Sequence, residues 1–114
     1  MGPAPQDRRS GPRILCVDGS ADAADAVTEA FDSDVTTVAT ARAARNALSD
    51  GAFDCVVTEY DLPDAPAADC GSIAFCEELG CRAPRTNVVV HTDAGDETVA
   101  GRAIAAGVDG YVPK

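Results

Sequence analysis

The sequence predicts an α/β domain in which a parallel β-sheet carries helices on both faces. Short, continuously apolar runs of strand length recur along the chain, and a stretch with helical spacing follows each of the first four. Gly, Pro, Ser, Thr or Asp stands at nearly every junction between them. A strand buried on both faces reads as unbroken apolar sequence rather than as alternation. Strands that alternate with helices pair in parallel through right-handed crossovers.

The elements follow in order. Residues 1–12, with Pro3, Pro5 and Pro12 and scattered charge, predict a disordered lead-in, so the domain proper spans 13–114. Arg13–Val17 (RILCV) is the first strand. Ser20 is placed to cap a helix over 21–32 whose inner face is Ala23, Ala26, Val27 and Ala30. The β-branched stretch 34–39 is a second strand. Thr40 caps a second helix reaching Asp50, and Gly51 fits its C′ position. Residues 53–58 (FDCVVT) form a third strand, and a loop with Pro63 and Pro66 leads to a helix over 69–79 ended by Gly80. The fourth and most apolar strand is 87–91. Asp93 or Asp96 starts a fourth helix with Val99, Ala103, Ile104 and Ala106 inward and Gly107 as its stop. Gly110–Pro113 is a short fifth strand.

A length of 114 residues allows one domain with one modest core, and 46% apolar residues exclude a disordered chain. No apolar run reaches the ~20 residues of a membrane helix. The N-terminus lacks a secretory apolar stretch, so the protein reads as intracellular and cytoplasmic. The balance of 19 acidic to 9 basic residues, a net charge of −10, argues against direct nucleic-acid binding and against docking on an anionic membrane. The surplus of Asp, the heavy use of Ala and a single lysine, Lys114, resemble the proteins of salt-loving archaea. Their acidic, hydrated surfaces stay soluble in concentrated salt; the alternative is an ordinary acidic bacterial protein. The cysteines (Cys16, Cys55, Cys70, Cys76, Cys81) form no CxxC, and His91 is the only histidine, so no zinc pattern is present. Cys16 and Cys55 lie inside strands, where a reduced Cys packs as a small hydrophobe. Cys70, Cys76 and Cys81 are unevenly spaced and lack a fourth ligand, which argues against a metal or a disulfide.

In parallel sheets the functional crevice lies beyond the carboxyl ends of the strands. Asp18, Glu59, Asp61, Thr92 and Lys114 all fall there. Three carboxylates crowded together repel unless a cation or a proton relieves them, and hard oxygen donors suit Mg²⁺. Any one of these residues reads equally well as a helix cap or a solvated loop residue. That reading weakens when all of them sit at the ends of successive strands.

The segments ILCVDG, VVTEYDLP, VVVHTD and AIAAGVDGYVPK, spread over residues 14–114, resemble the receiver domain of two-component response regulators. The resemblance implies a flavodoxin-like, doubly wound sandwich with strand order 2-1-3-4-5. It also implies an acidic pair after the first strand, a phospho-accepting aspartate after the third and a bridging Mg²⁺. A Ser or Thr and a Lys would bind the phosphoryl oxygens, and an aromatic residue would swing inward on activation. By position, Asp18 matches the first acid of the pair, Thr92 the hydroxyl, Lys114 the lysine and Tyr111 the aromatic switch. Asp61 matches the residue whose backbone carbonyl helps bind Mg²⁺, and Pro63 the proline that shapes that loop.

The sequence departs from that pattern at Gly19, which stands where the second acid should be, and at Glu59, which stands in the phospho-acceptor position. Glutamate is one methylene longer than aspartate, about 1.3–1.5 Å, and a misplacement of about 1 Å can cost about 10²-fold in rate. Both changes imply an atypical receiver without enzymatic activity, acting through protein contacts and independent of phosphate. At most a weak Mg²⁺ site would remain at Asp18, Glu59 and the Asp61 carbonyl. The partners implied are a histidine kinase or an output or sensor domain, with a homodimer as a further form. One alternative keeps phosphorylation by a histidine kinase, with Asp61 as a substitute acceptor. A more remote one is a small flavodoxin-like nucleotide or flavin binder, which the carboxylate-rich loop after the first strand and the missing GxGxxG and P-loop disfavour. The family continues past this lysine into a fifth helix beside the first. The sequence stops at Lys114, so a fragment is expected; were that end natural, the exposed sheet face would favour oligomerisation. His91 reads as a half-exposed strand end, Tyr60 as either covering the crevice or packing on the loop, and Arg82, Arg85 and Arg102 as solvated.

Overall fold

The computed structural model describes residues 13–30, 34–66, 68, 71–83, 85–93 and 96–114. The expected lead-in, 1–12, lies outside them, as do Asp69 and Cys70. The observed order is β1 (Arg13–Val17), α1 (Ala21–Ala30), β2 (Asp34–Val38), α2 (Ala41–Asp50), β3 (Cys55–Thr58), α3 (Ile73–Arg82), β4 (Asn87–Thr92), α4 (Glu97–Ala105) and β5 (Gly110–Pro113). The strands form one parallel sheet in the order β2-β1-β3-β4-β5, the doubly wound arrangement expected.

Side chains alternate across the sheet. Leu15, Val17, Val56, Val88 and Val90 face the larger core, where Ala41 and Ala44 of α2, Phe75 and Leu79 of α3, and Val99 and Ala103 of α4 cover them. Ile14, Cys16 and Val57 face the other side, covered by Val27 of α1. Val112 is 48% exposed beside Cys55 and Val89 over a shallow apolar groove on this face. Among the described residues no helix is long and apolar enough to cross a membrane.

Several helix ends differ from expectation, each for a local reason. The third helix begins at Ile73, because Gly71 adopts a left-handed φ of +58° that no helix accommodates. It runs through Gly80, at a propensity cost of about 1 kcal/mol. It stops at Ala83, whose φ of −136° and ψ of 63° lie outside the helical region that a following proline disfavours. Gly51 is extended, with φ −165°, rather than left-handed. Its smallness is used instead by the Arg13 guanidinium, since a Cβ at Gly51 would lie 3.3 Å from Arg13 Nη1. Ser20, Thr40 and Asp96 cap their helices, with side chains accepting from the N–H groups of Ala23, Ala43 and Val99; the choice between Asp93 and Asp96 thus falls on Asp96. Gly107, with φ +94°, ends α4 as expected. Ile104 turns outward at 66% exposure, because it lies about 140° around the helix from Val99. Ala26 is exposed as well, while Val27 carries the buried face of α1.

Candidate functional site

Parallel register brings the strand ends together. Val17 of β1 pairs with Val38 of β2 and Thr58 of β3, so the next residue on each strand emerges at the same level. The Asp18 N–H donates to the Val38 carbonyl at 2.8 Å, and the Glu59 N–H to the Val17 carbonyl at 2.8 Å. Beyond β5 the Lys114 N–H donates to the Thr92 carbonyl at 3.0 Å, which aims the only lysine back over the site.

The Lys114 ammonium lies between two carboxylates, 2.7 Å from Asp18 Oδ2 and 2.8 Å from Glu59 Oε1. Both acids are nearly buried, with side chains 6% and 8% exposed, and the lysine side chain is 19% exposed. The second oxygen of each carboxylate is held by backbone. Asp18 Oδ1 accepts from the Ser20 N–H at 2.8 Å. Glu59 Oε2 accepts from Tyr60 N–H at 2.6 Å and Asp61 N–H at 3.0 Å. Burial works against the charge on Glu59. Hydrogen bonds from Lys114, Thr92 and the Asp61 N–H outweigh it and hold the carboxyl below the usual glutamate range. Lys114 mirrors this: burial opposes its charge, and its bonds to Asp18 and Glu59 raise its pKa above the lysine norm.

Asp18, Glu59, Thr92 and Lys114 therefore meet as the sequence suggests. Asp61 is exposed at the rim of an open cleft that Asp18, Asp22, Glu59, Asp93 and Lys114 also line. Tyr111 stays outside this cluster, half-buried against the larger core. Tyr60 is buried and packs on the loop rather than over the crevice: a Cβ on Gly71 would fall among its ring and carbonyl atoms. His91 is half-buried and lines the cleft. Arg82 is not simply solvated, since with Arg45 it grips Glu78 at 2.8 and 3.0 Å. Cys16, Cys55, Cys76 and Cys81 are free thiols.

Lys114 faces the acids as the sequence suggests and bridges two of them; what sequence reasoning missed is Asp64. The Asp64 carboxylate accepts from the N–H groups of Ala41 and Arg42, both at 2.9 Å, and ties the loop after β3 to the start of α2. Burial opposes its charge slightly, and these backbone bonds outweigh it and lower its pKa. The visible signal was an acid flanked by Pro63 and Pro66, but nothing in one dimension names a target 23 residues upstream.

These donors fit a divalent cation poorly. The two oxygens facing each other across the site already share an ammonium, and Gly19 offers no side chain although its Cβ would have room, meeting nothing nearer than Ala39 O at 3.9 Å. Among the described residues no group of three His, Cys, Asp or Glu side chains is arranged to hold a metal ion.

The model of the response regulator receiver domain family matches residues 14–114. Among solved structures, the BeF3-activated receiver domain of DrrB, from a Thermotoga maritima response regulator, is 27% identical. The match covers 90% of this chain and 84% of that one, with a TM-score of 0.78. A CheY-like receiver domain protein from Methanospirillum hungatei is 22% identical, covering 90% and 80%, with a TM-score of 0.75. An orphan response regulator of H. pylori is 14% identical, covering 93% and 85%, with a TM-score of 0.78. The last two show likeness of fold alone. No curated protein sequence matches the chain significantly. With the family match running from Ile14 to Lys114 and the fold shared with solved receiver domains, the chain belongs to the response regulator receiver domain family.

Proposed function

We propose that this receiver domain signals without phosphate: Glu59 occupies the acceptor position and is locked there by Lys114. The observation that carries the reading is that both Glu59 carboxylate oxygens are engaged, Oε1 by the Lys114 ammonium and Oε2 by two backbone N–H groups. A nucleophilic carboxylate needs a free, correctly placed oxygen. Here one methylene of extra length, about 1.3–1.5 Å, spends that freedom on reaching Lys114.

Receiver domains typically bind Mg²⁺ at the phosphorylation site. In this chain a divalent cation must displace Lys114 from Asp18 and Glu59, with no help from position 19. Magnesium binding is therefore weak. The glutamate charge reaches the two groups, Thr92 and Lys114, that would otherwise hold phosphoryl oxygens. It biases the domain toward the arrangement those contacts favour, with Tyr111 as the aromatic reporter.

The partners are proteins, a histidine kinase or an output or sensor domain, and the domain itself is not an enzyme. The excess of acid, net −10, fits cytoplasmic protein–protein signalling in a salt-rich cell and not nucleic-acid contact. A second reading, phosphorylation on Asp61, draws on that residue's exposure at the cleft rim.

Magnesium titration followed by amide NMR tests the proposal. Wild type gives small, non-saturating shifts through the millimolar range, while Gly19→Asp/Glu59→Asp gives a saturable site. Saturable binding by wild type at Asp18 and Glu59 overturns it.

A further inference from the structure

We infer that Asp64 is a positioning residue for the acidic cleft: by clamping the loop after β3 onto the first turn of α2, it keeps the Asp61 amide on Glu59. The inference deepens the proposal that Glu59 is a locked, unphosphorylated acid and rests on that reading.

The start of α2 shows how complete the clamp is. A helix leaves its first N–H groups without intrahelical partners. Here Ala41 N–H and Arg42 N–H donate to the two oxygens of Asp64, Ala43 N–H donates to Thr40 Oγ1 at 3.0 Å, and Ala44 N–H begins the helical ladder on the Thr40 carbonyl at 3.0 Å. Thr40 is the local cap, and it alone would serve an ordinary helix. Asp64 adds a bidentate, charge-assisted contact from a different element, placed where the helix dipole favours an anion. Asp64 is exposed, so apolar packing does not hold it there.

The same loop builds one wall of the cleft. Asp61, Leu62, Pro63 and Pro66 line it. Leu62 and Ala65 exchange two backbone hydrogen bonds at 3.0 Å, which makes residues 62–65 a tight unit with Asp64 at its tip. Leu62 is buried in the core at one corner of this unit, and Asp64 fixes the opposite corner to α2. Asp61 immediately precedes the unit, and its N–H reaches Glu59 Oε2 at 3.0 Å. Ser72 N–H on the Tyr60 carbonyl and Gly71 N–H on the Pro66 carbonyl, both at 2.9 Å, hold the two ends of this loop, and the α2 clamp is the contact that fixes its tip. A displacement of α2 would by the same linkage reach Glu59.

The test compares Asp64→Ala, Asp64→Asn and Thr40→Ala by NMR at neutral pH, following the Asp61 and Tyr60 amide protons. The Thr40 variant loses a cap on the same helix turn without freeing the loop, so it reports the purely structural effect. The expected result is an upfield move of the Asp61 amide in Asp64→Ala, a smaller one in Asp64→Asn, and none in Thr40→Ala. Should Asp64→Ala not fold, Asp64→Asn, which keeps one acceptor oxygen, carries the comparison. An unchanged Asp61 amide in the Asp64 variants overturns the inference, as does an equal change in Thr40→Ala. Wild-type magnesium binding tests the underlying proposal separately, because it does not depend on what the Asp64 variants do.

Discussion

Lys114→Met keeps the stem of the lysine and deletes its charge, leaving the Asp18 and Glu59 carboxylates facing each other with side chains 6% and 8% exposed. Removing one partner of a buried pair costs about 3–5 kcal/mol. Because the Lys114 side chain is 19% exposed, the lower end applies, about 3 kcal/mol. For a domain of this size about 1 kcal/mol moves the midpoint by roughly 4 °C, so a fall of about 12 °C is expected near neutral pH. The pH dependence carries the sign. Glu59 titrates below its ordinary 4.5 in the folded state, so its contribution is present above 4.5 and lost as pH falls through the folded value. Lys114 titrates above its ordinary 10.5, so its contribution is full below 10.5 and lost as pH rises through the folded value. The wild-type pair is therefore fully effective between those limits. In Lys114→Met the clash of carboxylates is relieved by protonation, so the gap between the two proteins narrows from pH 7 toward pH 4. Thermal unfolding by circular dichroism across that range reads it out. A gap under about 4 °C at pH 7, equivalent to about 1 kcal/mol, or one that does not narrow on acidification, refutes the reasoning.

Two further outcomes follow from the same structure. Gly71→Ala imposes a side chain at φ +58° and places its Cβ 2.6 Å from the Tyr60 ring. It should destabilise the domain by about 1–3 kcal/mol and perturb the Tyr60 resonances, whereas Gly80→Ala, with nothing within 4 Å, should be neutral or stabilising in the same denaturant titration. The excess of 19 acidic over 9 basic residues makes self-repulsion a general load, so the melting temperature should climb as KCl is raised from dilute buffer into the molar range. A falling melting temperature would remove the case for a salt-adapted surface.

The strands were legible because burial on both faces writes two of them as RILCV and CVVT, while NVVVHT is as apolar although Val89 and His91 on its second face are only half-buried. Their parallel pairing followed from alternation with helices, while the 2-1-3-4-5 order came from family resemblance. Asp18, Glu59, Thr92 and Lys114 were legible as a cluster because parallel register delivers residues after strand ends to one place. What stayed hidden depends on three-dimensional neighbours. Gly51, Gly71 and Gly80 look alike in sequence; one lies against Arg13, one is left-handed beneath Tyr60, and one is an ordinary helical residue. Apolarity places Ile104 inward, but the angle from Val99 turns it to solvent. The Asp64 clamp spans 23 residues and follows no local motif.

The claim that Glu59 has given up phosphotransfer is tested most directly by intact-mass spectrometry after incubation with acetyl phosphate and Mg²⁺, with Gly19→Asp/Glu59→Asp as the positive control. The account predicts an unmodified wild-type mass and a phosphoryl adduct on the double variant. A stable adduct mapped to Glu59 in the wild-type chain would contradict it.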